Sequence, residues 1–201
     1  MLIFSISQRI AGQTLSDNKQ EELNVIARQG GHCCEFCGYE SPHNTAIFRD
    51  KNHLNTNSSN LCVADSLCQA WQELNNITAE TGTIVYLPAL NPEDVNHLQR
   101  TIAQALDSDD MSYQEDAKTL LDWLASHEKP VQQVWGTSHP QAFGETIKHI
   151  EESHRSTLLE RWRYLALVLH PNQFKGKLAK TGLEASTTWW KSLYHDYCSR
   201  S

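Results

Sequence analysis

The chain has 201 residues, a formal net charge of −7 at pH 7 and 39% hydrophobic residues, among them six tryptophans. A chain of this length and apolar content can bury the core of one sizeable domain. The acidic balance argues against a dedicated nucleic-acid-binding protein, because such proteins usually present a basic face to the phosphate backbone.

Residues 1–10 are apolar but alternate with polar residues, which predicts a half-buried strand with Leu2, Phe4 and Ile6 on one face. They lack the basic segment and the small-residue cleavage site of a signal peptide. No apolar run approaches the ~18 residues of a transmembrane helix. We therefore expect no membrane insertion, and six cysteines that serve as metal ligands or free thiols rather than in disulfides.

The next elements are predicted to be short and separated by polar turns. Ser16 or Asp17 can cap the first helix, and Gly30 and Gly31 can end it. Helices are predicted over residues 17–28 and 65–75, strands over residues 45–48 and 83–87, and a polar turn over residues 50–60.

The second half of the chain is predicted to be mainly helical. Asn91 and Pro92 begin a helix, since Asn is a good N-cap and Pro fits the first helical position. Val95, Leu98 and Ile102 then fall on one face of that helix. Further helices are predicted over residues 112–126, 141–170 (with a break near residue 153) and 186–198, and a loop over residues 129–140.

The run Cys34-Glu35-Phe36-Cys37-Gly38 is typical of a zinc knuckle. In a C-x-x-C-G turn two thiolates reach one metal ion, and the glycine adopts the left-handed backbone conformation that the tight turn requires. A knuckle supplies two ligands, whereas structural zinc takes four. Two further ligands are therefore expected elsewhere in the chain.

Asp65 and Cys68 are the predicted partners of the knuckle. They lie three residues apart at the start of a predicted helix, so their side chains point the same way. A carboxylate oxygen is an acceptable zinc ligand. We therefore predict a structural site for one zinc ion formed by Cys34, Cys37, Asp65 and Cys68.

Four alternatives remain open from the sequence alone. Cys62 could replace Asp65 and give a site with four cysteines, and Cys33 could replace Cys34 in the knuckle. Asp65 could serve only as the N-cap of its helix, where a carboxylate is favoured. Finally, the segment could bind no metal at all.

The pattern over residues 34–69 resembles the zinc-stapled form of the HNH endonuclease family. In that family a C-x-x-C precedes a ββα unit, and an Asn-Leu pair, here Asn60 and Leu61, precedes a second C-x-x-C. Asp65 and Cys68 stand where that second motif lies. The predicted elements indicate an α+β fold, a mostly helical single domain built around a zinc-stapled ββα unit. The resemblance implies that this unit is HNH or treble-clef-like.

The predicted domain covers residues 1–201. The HNH-like unit is predicted over residues 30–76, and a strand with a helical remainder over residues 83–201. No repeat, low-complexity segment or clear linker divides the chain.

The catalytic positions of the HNH family are altered in this sequence. The family carries a His-His or Asp-His pair at the end of the first strand, which binds the catalytic cation and supplies the general base. Those positions are Ile47 and Phe48 here, and neither side chain can bind a metal or accept a proton. The histidine that follows the last cysteine in the family is Gln69. We therefore expect no catalytic residues and no enzymatic activity.

A second resemblance covers most of the chain from about residue 20. The altered HNH-like unit is followed by Gly82-Thr-Ile-Val-Tyr-Leu-Pro88 and by a helix that contains Asn96-His97-Leu98. This order resembles the IcmJ family, also called DotN, of the Dot/Icm type IVB secretion system. Members of that family are adapters of the type IV coupling complex.

The resemblance implies specific partners. They are the C-terminal region of the coupling ATPase DotL, beside DotM and the chaperones IcmS and IcmW, in a complex that aids effector export. It also implies a cytoplasmic location, peripheral to the inner membrane through that complex.

A helical partner segment would bind an apolar groove on the adapter. Trp and Tyr dominate interface hot spots, so the aromatic residues of the last predicted helix are candidates for this contact, although core packing is the alternative role. These residues are Trp189, Trp190, Tyr194 and Tyr197.

The competing function is a zinc-containing HNH-like module that binds nucleic acid or keeps residual nuclease activity. The charge of −7 and the residues at positions 47, 48 and 69 argue against it.

Overall fold

The computed structural model describes residues 2–7, 16–52, 54–173 and 199, in which helices accompany two small antiparallel sheets. The helices are α1 (Asp17–Ala27), α2 (Ser66–Gln72), α3 (Pro92–Leu106), α4 (Met111–Ser126), α5 (Glu128–Trp135), α6 (Pro140–His149) and α7 (Glu152–Arg161). The strands are β1 (Thr45–Phe48), β2 (Leu61–Ala64), β3 (Gly82–Tyr86) and β4 (Leu165–Leu169). This mixed architecture confirms the predicted α+β class, whereas the HNH or treble-clef assignment and the unit boundaries stay predictions.

The first sheet is the hairpin of β1 and β2, which pair antiparallel and lead directly into α2. Helix α1 begins after Ser16, whose hydroxyl accepts a hydrogen bond from the backbone of Lys19, as predicted for a cap. The side chain of Asn24 in α1 accepts a hydrogen bond from the backbone N–H of Ala46 at 2.8 Å. Gln20 donates to the carbonyl of the same residue at 3.1 Å. The two amides thus satisfy backbone groups on the outer edge of β1.

The second sheet pairs β3 with β4, from Gly82 opposite Leu169 to Tyr86 opposite Leu165. All of β4 is buried, and α3 covers its free edge. Gln99 donates to the carbonyl of Leu167 at 2.9 Å and accepts from the backbone N–H of Leu169 at 2.7 Å. The side-chain amide of Gln99 therefore takes the place of a neighbouring strand.

The prediction of one helix over residues 141–170 was wrong in its last part. The chain forms α6 and α7, which are separated at residues 150–151 near the predicted break, and then turns into β4. Because Leu165–Leu169 is a continuous apolar run, it carries neither the helical nor the strand period, and pairing with β3 decides its conformation.

The predicted loop over residues 129–140 was also wrong, because most of it is α5. Pro130 lies in the first turn of α5, where the missing N–H costs nothing. Gly136 ends the helix in the left-handed conformation at φ 76°.

The N-terminal residues show the predicted alternation but not the predicted strand. Leu2 and Phe4 are buried, Ile6 is half-buried and Ile3 is exposed. Ser5 exchanges backbone hydrogen bonds with the end of α2: its N–H donates to the carbonyl of Trp71, and its carbonyl accepts from Leu74. The segment is thus fixed by a helix end rather than by a sheet.

The largest buried cluster joins the two halves of the chain. It contains apolar residues of the first hairpin, α2, the second sheet and helices α3 to α6. Within the described residues, none of the helices is both long and apolar enough to span a bilayer.

Candidate metal centre

The knuckle is held in place by its own backbone hydrogen bonds. Cys34 donates its N–H to the carbonyl of Tyr39 at 2.8 Å, and Gly38 donates to the carbonyl of Cys34 at 2.9 Å. Gly38 has φ 74°, the left-handed conformation that the sequence predicted for it. The turn directs the sulfur atoms of Cys34 and Cys37 toward the start of α2.

Asp65 performs two tasks with its two carboxylate oxygens. Its Oδ1 caps α2 by accepting the backbone N–H groups of Leu67 at 2.8 Å and Cys68 at 3.4 Å. Its Oδ2 faces the knuckle, 3.1 Å from the sulfur of Cys37. The helix cap and the ligand role, which the sequence offered as alternatives for Asp65, are therefore compatible in one side chain.

The structure brings Cys34, Cys37, Asp65 and Cys68 together. One donor atom from each lies within 4.8 Å of every other, and three of the four residues are fully buried. A tetrahedral zinc site with Zn–S bonds of about 2.3 Å places its sulfur atoms about 3.8 Å apart. The spacing therefore fits a metal ion after small adjustments, and the thiolate-rich donor set is the kind that zinc prefers.

The two alternative cysteines lie outside this group. Cys62 is buried on β2, and Cys33 is exposed, with its sulfur 3.2 Å from the carbonyl oxygen of Gly38. In the part of the chain that the structure describes, no other cluster of three or more Cys, His, Asp or Glu residues could hold a metal ion.

The three clustered thiols strongly affect one another's protonation. Hydrogen bonds from Cys37 and Cys68 lower the pKa of Cys34 far below its ordinary value. The hydrogen bond to Cys34 raises the pKa of Cys37 to about 12, and hydrogen bonds to Cys34 and Cys37 raise the pKa of Cys68. Sulfur binds a metal ion as thiolate, so a metal ion at this cluster would displace thiol protons.

Helix α3 supplies contacts to the cluster that the sequence did not predict. Arg100 donates through Nη2 to the sulfur of Cys37 at 3.1 Å and to Oδ2 of Asp65 at 2.9 Å. Asn96 donates to the sulfur of Cys68 at 3.3 Å. One signal was present in the sequence: Asn96 and Arg100 interrupt the apolar stripe of α3 with polar groups, and such buried groups need partners.

The three positions at which the HNH resemblance predicted altered catalytic residues lie in β1 and α2. Ile47 and Phe48 are both buried in β1, opposite Cys62 and Leu61 of β2. Gln69 accepts a hydrogen bond from the hydroxyl of Thr45 at 3.3 Å. None of these three side chains takes part in the metal-capable cluster.

The predicted partner-binding residues Trp189, Trp190, Tyr194 and Tyr197 lie outside the described residues.

No protein-family model matches the chain. It is similar to the Type 4 apparatus protein DotN of Legionella pneumophila subsp. pneumophila (strain Philadelphia 1), with 24% identity over 167 residues. The match covers 67% of this chain and 78% of the relative. The predicted resemblance to DotN is confirmed by this match, whereas the resemblance to HNH endonucleases stays a prediction.

Proposed function

We propose that this chain is a non-catalytic adapter subunit of a type IVB secretion apparatus of the Dot/Icm kind. The similarity to DotN, which is named as a type 4 apparatus protein, is the observation that carries the proposal. The match extends over most of both chains, so it includes more than the cysteine motif.

The proposed partner is the C-terminal region of the coupling ATPase DotL, within a coupling complex that also holds DotM, IcmS and IcmW. A helical segment of this region would place its apolar side chains in a groove of the adapter. The chain would then lie on the cytoplasmic side, attached to the inner membrane through the complex. The acidic net charge supports a protein partner over nucleic acid.

One zinc ion is proposed at Cys34, Cys37, Asp65 and Cys68, with a structural role. When bound, it would cross-link the knuckle to the start of α2. The four protein ligands would leave no open position for a substrate, which distinguishes structural zinc from catalytic zinc. With the ion bound, these four ligands would hold the first hairpin and α2 in a fixed relative orientation.

A direct test is co-elution with the DotL tail. We expect a one-to-one complex when the purified chain is mixed with a peptide of the C-terminal region of DotL and passed through a size-exclusion column. A scrambled peptide of the same composition is the control. Separate elution of the two at tens of micromolar would contradict the adapter function.

We also predict that the chain does not cut DNA. Ile47, Phe48 and Gln69 offer no imidazole or carboxylate to activate water, so plasmid should stay intact with Mg²⁺, Mn²⁺ or Ni²⁺. The Gln69→Ala variant is the matched control. Cleavage that follows the purified protein through its columns and persists in this variant would favour the nuclease alternative, and a salt-dependent gel shift without cleavage would favour a nucleic-acid-binding module.

A further inference from the structure

We propose that Arg100 and Asn96 couple metal binding to the attachment of α3, so that loss of the metal loosens α3 together with the knuckle. This inference rests on the proposed metal site. In this proposal the metal affects a helix distant in sequence, in addition to cross-linking the knuckle to the start of α2.

The charge of the site requires a nearby cation. Three thiolates and one carboxylate carry more negative charge than a divalent ion neutralises, so the loaded site keeps a net negative charge. Cys34, Asp65 and Cys68 are fully buried, and an uncompensated charge is costly in such a place. Arg100 is only 3% exposed, and its guanidinium offsets that charge from 2.9 Å.

Arg100 is positioned by residues at the knuckle and by a residue of its own helix. Its guanidinium carbon lies 4.2 Å from the ring centroid of Tyr39, just beyond the knuckle. Its Nη1 contacts Nδ1 of His97 at 2.9 Å, and Nε2 of His97 contacts the carbonyl of Cys37 at 3.1 Å. The Nε of Arg100 is buried and has no hydrogen-bond partner among the described residues. The side chain is therefore oriented so that its Nη2 reaches the ligands, while its Nε–H group makes no hydrogen bond to a described residue.

Asn96 makes the second connection. Its amide nitrogen donates to the sulfur of Cys68, and its carbonyl oxygen accepts from the indole of Trp71 at 3.2 Å. Together, Asn96 and Arg100 bring hydrogen bonds from α3 to Cys37, Asp65 and Cys68. Three of the four proposed ligands thus contact the same helix, although they lie 28 to 63 positions away from it in sequence.

Metal binding would hold these contacts in place. A bound ion fixes the positions of the sulfur and carboxylate acceptors to which Asn96 and Arg100 donate. By thermodynamic linkage, contacts that depend on the bound metal must also favour its retention. The coupling therefore predicts effects in both directions.

The first arm of the experiment measures zinc transfer from the full chain to a chromophoric chelator. Arg100→Met keeps the length of the side chain but removes its charge, and we expect it to lower zinc affinity roughly 10- to 100-fold and to speed release accordingly. Arg100→Lys restores the charge without the forked geometry and should recover part of the affinity. Arg49→Met is the matched control, because Arg49 pairs with Glu35 on the exposed side of the knuckle without contacting a ligand.

The second arm replaces zinc with Co²⁺ and records the sulfur-to-cobalt charge-transfer band. A guanidinium that donates to a thiolate lowers the energy of its lone pairs. Arg100→Met should therefore move the band to longer wavelength, whereas Arg49→Met should leave it in place. A merely structural role of Arg100 would not move this band.

The third arm measures amide hydrogen exchange of the wild-type chain before and after zinc is removed. We expect faster exchange in α3 as well as in the knuckle, with α7 as an internal reference. If Arg100→Met does not fold, the exchange measurement on the wild-type chain, together with the Asn96→Ser variant, tests the coupling between zinc binding and α3. The coupling would be overturned if Arg100→Met bound zinc as tightly as the wild-type chain does. It would also be overturned if the exchange rate of α3 were the same with and without zinc. A wild-type chain that binds no zinc would overturn the metal site itself and the coupling with it.

Discussion

Replacement of Cys68 by serine is expected to abolish metal binding and, with it, the cooperative unfolding transition of the chain. Cys68 is fully buried, and its sulfur lies within 4.8 Å of the other three donor atoms. Structural zinc sites contribute about 10 kcal/mol or more, which equals the whole stability of a typical domain. Zinc content per chain and thermal unfolding followed by circular dichroism measure the two effects. Cys37→Ser should behave in the same way.

Two further variants distinguish the proposed ligand set from its alternative. Asp65→Ala should reduce zinc retention, since it removes a ligand and the N-cap of α2 together. Cys62→Ser should keep its zinc, because Cys62 lies outside the cluster, and burial raises the pKa of its thiol to about 11. Full zinc content in Asp65→Ala combined with its loss in Cys62→Ser would reverse the assignment.

Replacement of Trp71 by alanine is expected to lower the free energy of unfolding by about 3–5 kcal/mol, the usual cost of emptying a buried aromatic site. Trp71 is 2% exposed and stacks on Phe4 with ring centroids 4.5 Å apart. Its indole N–H donates to Asn96. Trp71 thus connects α2 to the N-terminal segment and to α3, so its loss should weaken both contacts.

Urea unfolding of matched variants tests this expectation. Trp71→Phe keeps an aromatic ring beside Phe4 but loses the donor to Asn96, and it should cost about 1–3 kcal/mol. Trp135→Ala is the control for loss of an indole ring, because Trp135 keeps 37% of its surface exposed. A loss in Trp135→Ala as large as that in Trp71→Ala would contradict the central position of Trp71.

Local sequence patterns were sufficient for the parts of the fold that depend on neighbouring residues. The spacing of Cys34 and Cys37 with Gly38 predicted the knuckle turn, and the N-cap position of Asp65 predicted the start of α2. The bounds of β1 and the N-terminus of α3 agree with their predictions to within one residue. These features are set by backbone conformation and by the period of apolar residues.

Features set by distant contacts could not be predicted from the same patterns. Leu165–Leu169 is a strand because β3 lies beside it, and an apolar run of five residues does not reveal that neighbour. Arg100 contacts Cys37, which lies 63 positions away in sequence, and the residues around Arg100 do not indicate this partner. The spacing of residues predicted the three cysteines and the aspartate of the cluster. The contacts that α3 makes with them could be identified only from the structure.

Isothermal titration calorimetry of the full chain with a peptide of the DotL C-terminal region tests the adapter function most directly. A tail that becomes ordered on binding loses conformational entropy, so a stable complex needs an apolar contact, of roughly 1,600 Å² or more. We predict saturable heat at tens of micromolar, a negative heat-capacity change and only mild dependence on salt. The absence of heat at every temperature would contradict the adapter function.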